Sequence, residues 1–208
     1  MKYSVVTGDI ANSTSLDADK RAELIDRTSA LIKSWVAKPA YAEIFRGDSF
    51  QLLFDDVAVA LKRSIQIRCW LKSYPHETAG ELLDARLSIG IGDVSYFGKS
   101  VLDADGEAFH LSGRAFDEMK ATQNYFQVST NDSKLNEQLD IILTLANITI
   151  SQWTKNQAEV IFLLLEGKTQ QQMADELKIV QSAVNNRIKL SRWKEIDKTM
   201  RYIASLMS

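Results

Sequence analysis

The sequence predicts an α+β protein, because strand-like and helix-like segments alternate over its first 150 residues and only helical patterns follow. Short β-branched runs are typical of strands, and apolar residues that recur every three to four positions are typical of helices. The order β-α-β-β-α-β-α-β mixes hairpin and crossover connections. It predicts a ferredoxin-like, antiparallel-rich sheet with helices packed on one face, followed by a small all-α domain.

Each element of the first part has its own signal. The run Tyr3–Thr7 is short and β-branched, which predicts a buried strand. Apolar residues recur at helical spacing over Asp19–Val36, and Pro39 follows, so we expect an amphipathic helix there. Two strand-like runs joined by Gly-Asp predict a β-hairpin over 41–54. The later elements are a helix over Val57–Tyr74, a strand over Ala85–Ile91, a helix over Gly106–Ala121, a strand over Tyr125–Thr130 and a helix over Leu135–Ile150.

The pattern becomes purely helical after residue 150, where we place a boundary between domains 1–150 and 151–208. A first tail helix over Asn156–Glu166 is closed by Gly167. Thr169 then caps a second helix that runs through Leu177. A tight turn leads into a third helix over Gln181–Arg192. Two short helices joined in this way predict a helix-turn-helix unit.

Composition excludes several classes of protein. The chain has 208 residues, of which 45% are hydrophobic, enough for one sizeable core and a small second domain. Its single cysteine, Cys69, excludes a disulfide framework and a cysteine metal site, and we expect it to be a half-buried helix residue. The apolar run at the N-terminus is far shorter than a signal peptide or a membrane span. We therefore expect a soluble, cytoplasmic protein without membrane contact.

Charge is distributed unevenly. Residues 151–208 contain nine basic and six acidic residues, a net charge of +3, and residues 1–150 contain sixteen and twenty-one, a net charge of −5. The segment 179–201 has six basic and two acidic residues, hence +4. A basic stretch in an acidic protein is typical of contact with nucleic acid, although a solvated helix face has the same composition.

Two aspartates follow or flank predicted strands. Asp9 comes where the first strand is expected to end, and the small polar residues Asn12, Ser13 and Thr14 can expose backbone N–H groups to an anion. Asp48 lies at the tip of the predicted hairpin. If the two strands are neighbours, these carboxylates can share Mg²⁺ or Mn²⁺, with water and substrate phosphates as the other ligands. The alternative for Asp48 is ordinary turn chemistry.

Four motifs resemble those of the class III nucleotidyl cyclases. "VVTGDIANST" resembles their first metal motif, "GDSFQLLF" their second metal-binding hairpin, "RLSIGIGDV" the following strand, and "DADGEAFHLSGRAFDEM" the helix that carries their transition-state residues. The chain is identified as a member of the SatD-like family through "GDSFQ", "IGIGDV", "DADGEAFHLSGRA" and "QWTKNQ". This resemblance covers essentially the whole chain. It implies a degenerate class III cyclase-like domain followed by a helix-turn-helix.

The resemblance also implies roles for individual residues. Asp9 and Asp48 would hold the metal, Arg114 would face the phosphates of a nucleoside triphosphate, and Asp103 aligns with the residue that reads adenine in the cyclases. If the chain is active, Arg114 and His110 would be its catalytic residues. Arg46 and Gly47 of the hairpin turn would lie at the phosphates, although Arg46 could instead pair with Asp48.

Two positions depart from the cyclase pattern. His110 stands where the family has asparagine, and Ile44 stands where a lysine or glutamate reads the base. An isoleucine cannot distinguish purines by hydrogen bonding. The metal and phosphate half of the site is thus present and the base-selecting half is altered. From the residues alone, Arg114 could equally be a surface residue paired with Asp117 or Glu118, His110 a half-buried helix histidine, and Asp103 a turn residue.

The third tail helix has the pattern of a DNA-reading helix. Val184 and Ile188 are four residues apart and should face inward. "TQQQMADELKIVQSAVNNRIK" resembles the helix-turn-helix of sigma-factor region four, with Lys178 and Val180 departing from the turn glycine and the polar cap expected there. The residues left outward are Gln181, Ser182, Asn185, Asn186 and Lys189, and those expected at phosphates are Arg187, Arg192 and Lys194. The alternative is a helical protein-docking domain without DNA contact.

Together these features predict a DNA-binding transcription regulator whose N-terminal domain binds a nucleotide as effector. The alternatives are a working nucleotidyl cyclase and an inert cyclase-like scaffold for dimerisation. Cyclase-type sites form between two protomers, and helix-turn-helix proteins commonly read two-fold DNA sites. We therefore expect a homodimer, with a nucleotide and double-stranded DNA as partners.

Overall fold

A computed structural model of the protein describes residues 2–75, 82–119, 122 and 124–207. These residues form one five-stranded sheet and eight α-helices. The strands are β1 Tyr3–Ala11, β2 Ala42–Phe45, β3 Ser49–Phe54, β4 Asp84–Gly92 and β5 Phe126–Ser129. The helices are α1 Ala18–Lys33, α2 Val57–Ser73, α3 Glu107–Met119, α4 Ser133–Ser151, α5 Lys155–Leu165, α6 Gln170–Leu177, α7 Gln181–Leu190 and α8 Trp193–Leu206.

The strands lie in the order β2-β3-β1-β4-β5. Strand β3 is antiparallel to both β1 and β2, so β1 and β2 run parallel with β3 between them. In the same way β1 separates β3 from β4. These two split β-α-β units are the ferredoxin-like connection, and the predicted α+β class is confirmed. Strand β5 adds a parallel edge to β4.

Helices cover both faces of the sheet, so the prediction of helices on one face only is wrong. Val6 of β1 points into the main core with α1 and α2, whereas Val5 points into a smaller cluster with α3. Thr7, on the same face as Val5, hydrogen-bonds Ser112 of α3 at 3.0 Å. This close approach depends on Gly90, since a Cβ there would lie 2.1 Å from the Ala108 carbonyl oxygen of α3. The large–small alternation of β4 is what admits the second helix layer.

Some predicted boundaries shift. Strand β1 continues to Ala11, so Asp9 lies within the strand rather than after it. The hairpin is confirmed, and its turn places Arg46 and Gly47 at positive φ values of 50° and 92°. Helix α3 is described to Met119, and residues 120 and 121 of the predicted helix lie outside the described residues. Cys69 is fully buried, not half-buried.

The tail contains the three predicted helices and one that was not predicted, α8. Thr169 caps α6 in a capping box, as expected. Lys178 adopts the left-handed conformation, with φ 54°, and Val180 begins α7 without a side-chain cap, so both departures noted in the sequence are real features of this turn. No helix in the described part of the chain has the length and apolar character needed to cross a membrane.

The apolar core crosses residue 150. Ile161 of α5 and Ile196 and Ile203 of α8 belong to the same buried cluster as Ile65 of α2 and residues of the sheet. A separate cluster, which includes Val160, Met173 and Val184, joins α5, α6 and α7. Helices α5 and α8 therefore pack on the α+β part, while α6 and α7 are held mainly by α5. The predicted division into domains 1–150 and 151–208 stays a prediction.

Candidate functional site

The structure brings Asp9 and Asp48 onto neighbouring strands. Asp9 of β1 lies opposite Ser49, the first residue of β3, and Asp48 precedes Ser49 directly. The backbone N–H of Ile10 donates to the Asp48 carbonyl oxygen at 3.1 Å. The adjacency on which a shared metal depends is therefore present. It arises from the antiparallel register of β1 and β3.

Each carboxylate is paired with an arginine. Arg86, opposite Asp9 on β4, donates from Nε and Nη2 to the two carboxylate oxygens at 3.0 and 2.6 Å. The hydrogen bonds from Arg86 to Asp9 outweigh partial burial and raise the pKa of Arg86. Asp48 accepts from Arg21 of α1 at 3.3 Å and from the Ser13 hydroxyl at 2.5 Å. The two carboxylates and two guanidiniums are balanced in charge, so the site resembles a closed salt-bridge cluster.

The donor set is chemically suited to a hard cation but is incomplete. Carboxylate and hydroxyl oxygens are the ligands that Mg²⁺ takes, and Mg²⁺ keeps several waters or phosphates in addition. Within the described residues no group of three or more metal-ligating side chains is present. A metal at Asp9 and Asp48 would have to replace at least one guanidinium.

The small polar turn lies beside Asp48. Asn12 is in the left-handed conformation, with φ 66°, and leads into a 3₁₀ turn over Ser13–Ser15. Its side-chain amide donates to the Leu82 carbonyl oxygen at 3.2 Å. Ser13 is buried and directed to Asp48, whereas Thr14 is exposed. The turn therefore supports the carboxylate directly through Ser13.

The hairpin turn is exposed on the same side. Arg46 is exposed, and Asp48 takes Arg21 as its ion-pair partner. A Cβ on Gly47 would lie 3.5 Å from Nη2 of Arg21, so the turn packs loosely against that guanidinium. Ile44 is the next-to-last residue of β2, before the hairpin turn. It lies opposite Phe50 and packs against the main core. It faces away from Asp9, and so contributes nothing to base recognition.

The residues expected from α3 lie elsewhere on the surface. Asp103 ends a 3₁₀ turn and accepts from the Ser100 hydroxyl at 3.4 Å. His110 is exposed, so the half-buried alternative is wrong, and its Nε2 lies 2.8 Å from an oxygen of Asp105. Arg114 donates from Nε to the His110 carbonyl oxygen at 3.2 Å, which keeps its side chain along its own helix. In the described part of the chain, no hydrogen bond or ion pair joins these residues to the carboxylate pair.

A buried charge cluster near the same end of the sheet was not predicted. Arg68 of α2 donates from Nε and Nη2 to both oxygens of Asp84, at 2.8 and 2.7 Å. Lys72, one turn later, lies 3.0 Å from Asp84. Burial opposes ionisation of Asp84, but the charges and hydrogen bonds of Arg68 and Lys72 outweigh it and hold the pKa of this carboxyl below its usual value. The sequence signal was the pair Arg68 and Lys72, at i and i+4, with only Cys69, Trp70 and Leu71 between them.

The polar face of α7 is exposed as the helical pattern predicts. Val184 is fully buried and Ile188 packs behind it. The outward residues are Gln181, Ser182, Asn185, Asn186 and Lys189, all of them exposed. They recur at spacings of one and four residues and form one continuous stripe. Contact of this stripe with DNA stays a prediction.

The three basic residues expected at phosphates differ in their surroundings. Arg187 is half-buried and lies 3.7 Å from Glu159 of α5. Arg192 is exposed and starts α8 in the left-handed conformation, with φ 56°. Lys194 is exposed in the first turn of α8. Arg192 and Lys194 are thus accessible to a phosphate, whereas Arg187 is partly neutralised by its ion pair with Glu159.

These features define an α+β protein with an arginine-paired carboxylate site at one end of its sheet and a helical tail that exposes a polar helix face. The chain matches the model of the SatD family over residues 3–207, and it belongs to that family. No curated protein matches it significantly. Among solved structures it is similar to the active GGEEF domain of a diguanylate cyclase from Vibrio cholerae, with 17% identity and a TM-score of 0.45, over 64% of this chain and 85% of that one.

Proposed function

We propose that this protein is a DNA-binding transcription regulator whose N-terminal part is a degenerate, class III cyclase-like nucleotide sensor. The observation that carries the proposal is the stripe of exposed amide and lysine side chains on α7, backed by the fully buried Val184. An exposed stripe of this composition has no role in packing the tail.

The chemistry of the stripe suits the major groove. Gln181 and Asn185 carry the amides that pair bidentately with adenine edges, and Lys189 can reach guanine or a phosphate. Helix α7 has 10 residues, and the diameter of a helix with its side chains, about 10–12 Å, fits the major groove, which is about 12 Å wide. A three-residue turn separates α6 from α7, as in helix-turn-helix units that place the N-terminal residues of the second helix at base edges. Arg192 and Lys194 would then contact the backbone beyond the helix.

For the N-terminal part, we propose that a nucleotide with Mg²⁺ or Mn²⁺ opens the arginine-paired site. The metal would take oxygens of Asp9 and Asp48, and the released Arg21 and Arg86 would bind phosphate oxygens. Guanidinium groups bind phosphate in the same forked geometry as carboxylate, so the exchange preserves the number of charge-assisted hydrogen bonds. The partial exposure of all four side chains makes the exchange accessible from solvent.

We expect little or no turnover. The base-reading position, Ile44, faces the core, and His110 and Arg114 make no contact with the carboxylate pair within one chain. Without positioning of the base and ribose, the reacting atoms are not held in line. Any catalytic arrangement would need His110 and Arg114 from a second copy.

The DNA proposal is tested by selecting duplexes from a random library with the full-length protein and measuring affinity by fluorescence anisotropy over a range of salt concentrations. With about four to six phosphate contacts, the log–log slope should be roughly −4 to −5. Asn185→Ala should relax sequence preference at a cost of about 1–3 kcal/mol, and Arg192→Ala should weaken all sequences alike. Asn156→Ala, an exposed amide on α5, is the matched control. Salt-insensitive binding, or an Asn185→Ala variant with unchanged preference, would leave the docking-domain alternative.

The sensor proposal is tested with a panel of nucleoside triphosphates, with and without Mg²⁺ or Mn²⁺, scored for both binding and product. Binding should require the metal and should be lost in Asp48→Ala, while Asp19→Ala, an exposed carboxylate in the first turn of α1, should bind normally. Rapid formation of a cyclic nucleotide would instead favour the cyclase alternative. If no nucleotide binds in a metal-dependent manner, the alternative of an inert cyclase-like scaffold for dimerisation is favoured.

A further inference from the structure

We propose that a small pocket beside the buried charge cluster of Arg68, Lys72 and Asp84 is a binding site for a single phosphate-type oxyanion. The pocket has a volume of about 310 Å³. It is lined by Asn12, Lys72, Leu82, Asp84, Tyr125 and Ser151. This proposal does not depend on nucleotide binding at Asp9 and Asp48, although Asn12 adjoins both places.

The cluster beside the pocket has an excess of positive charge. The side chains of Arg68, Lys72 and Asp84 are 0%, 5% and 7% exposed, so two cations face one carboxylate in the interior. Among residues 2–75, 82–119, 122 and 124–207, Asp84 is the only carboxylate that pairs with either cation. The described residues of the cluster therefore carry a net charge of +1, and Lys72 presents this charge to the pocket. A buried uncompensated charge is strongly unfavourable, and an anion in the adjoining pocket would balance it.

Lys72 can donate a further hydrogen bond into the pocket. Arg68 uses four of its five N–H groups, because it donates to both oxygens of Asp84, to Asn147 at 2.7 Å and to the Ser151 hydroxyl at 3.2 Å. Lys72 has three N–H donors and two acceptors, Asp84 at 3.0 Å and the Ser151 carbonyl oxygen at 3.2 Å. Lys72 also lines the pocket, so its remaining donor can serve a ligand there.

The other residues that line the pocket, and its volume, are compatible with a small anion. Asp84 is the one negative group among the described residues that line the pocket, and its bidentate contact with Arg68 screens it from an incoming anion. Asn12 also lines the pocket, where its side-chain amide donates to the Leu82 carbonyl oxygen at 3.2 Å. The volume is at the low end of the range for small-molecule sites, which suits an oxyanion with its waters better than a complete nucleotide.

The test measures the melting temperature of the full chain and the calorimetric affinity for inorganic phosphate, with chloride at equal ionic strength as reference. Phosphate should raise the melting temperature in a saturable manner that chloride does not reproduce. Lys72→Met should weaken phosphate affinity at least ten-fold, because it leaves the neutral Arg68–Asp84 pair without the excess charge. Lys62→Met, an exposed lysine on the same helix, should bind as the wild type does.

A second variant keeps the result interpretable if Lys72→Met unfolds. Leu82→Glu places a carboxylate on the wall of the pocket at a half-buried position, so charge repulsion should also weaken phosphate binding. Equal responses to phosphate and chloride, or unchanged affinity in both variants, would overturn the proposal.

The source of the oxyanion is resolved by competition in EDTA, which removes any metal-dependent binding at Asp48. A nucleoside triphosphate that displaces phosphate from the wild type, when the nucleoside does not, identifies the ligand as a nucleotide's phosphate group. Phosphate binding without such displacement identifies a free oxyanion. Because Asp48→Ala should leave phosphate binding intact, failure of the nucleotide proposal and failure of this one give different results.

Discussion

Replacing Asp84 by asparagine should destabilise the fold more than any other single polar substitution near the sheet. The substitution keeps the size of the side chain but removes the charge that both Arg68 and Lys72 face. Two buried cations would then remain without a counter-charge, and the amide could accept from only one of the donors of Arg68. Removing one partner of a buried ion pair costs about 3–5 kcal/mol, and burial of all three side chains places this cluster in that class.

The assay is urea unfolding followed by far-UV circular dichroism. With a slope of about 2 kcal/mol/M, a loss of this size lowers the unfolding midpoint by roughly 1.5–2.5 M. In a chain of 208 residues the melting temperature should fall by roughly 6–20 °C. The circular dichroism spectrum before the transition should stay that of the wild type, since no backbone hydrogen bond is removed.

Two controls separate the charge argument from general sensitivity. Lys72→Met leaves one cation and one carboxylate and should cost less than Asp84→Asn, because the remaining pair is neutral. Glu23→Gln breaks an exposed pair with Arg27 on α1 and should have no measurable effect. An Asp84→Asn variant that loses less than about 1 kcal/mol, or a Lys72→Met variant that loses more than Asp84→Asn, would refute the reasoning.

Three further outcomes are expected. Because the folded state holds the pKa of Asp84 below its usual value, the stabilisation is complete above the ordinary carboxyl pKa of about 3.9 and is lost as the pH falls from there through the lowered pKa of the folded state. Acid unfolding curves of wild type and Asp84→Asn should therefore begin to approach each other below about pH 4 and meet only below that lowered pKa. Burial raises the pKa of the Cys69 thiol, so iodoacetamide at pH 8 should label it only in denaturant, as measured by mass spectrometry; labelling of the native chain would contradict its burial. Sedimentation velocity at micromolar concentration should give the mass of two chains, and a monomer would remove support for a site that combines Asp48 of one copy with Arg114 of another.

Local signals in the sequence predict most of the elements. Helix α2 begins at Val57 because Asp56 caps it and ends before Pro75, and both signals can be read without knowledge of the fold. Helix α8 was missed, although Ile196, Met200 and Ile203 recur at helical spacing and are buried in the structure. This spacing alone predicts an amphipathic helix, but the basic residues of the same segment were interpreted only as a DNA-contacting surface.

Contacts between elements distant in the sequence could be predicted less well than the elements themselves. The second helix layer follows from small residues on one face of β4, where Gly90 admits the backbone of α3, and a strand pattern does not say which face will be covered. The partner of Asp9 depends on the register of β1 against β4, since Arg86 is 77 residues away in sequence. The expectation that the strands of Asp9 and Asp48 are neighbours is confirmed. Sequence motifs could not show that arginines from β4 and α1 would close the site.

The continuity of the core bears on whether the two predicted domains are independent. Helix α2 carries Arg68 at the charge cluster, and two and five residues earlier it carries Gln66 and Arg63, which both donate to Glu166 at the C-terminal end of α5. Ile203 of α8 is fully buried in the same cluster as the sheet. A chain cut at residue 150 would expose this apolar surface on both pieces.

We therefore expect fragments 1–150 and 151–208 to unfold without a cooperative transition when each is alone, and to regain one when mixed. Thermal unfolding followed by circular dichroism, with a hydrophobic dye as a second probe, measures this directly. Ile203→Ala in the full chain is the matched test of the same contact and should cost about 2–5 kcal/mol. Two fragments that each unfold cooperatively would show that the boundary at residue 150 separates autonomous domains. In that case the packing of α8 on α2 would be an interface between domains rather than part of a common core, and a signal from the sheet to α7 would have to pass through domain movement rather than through the shared helix α2.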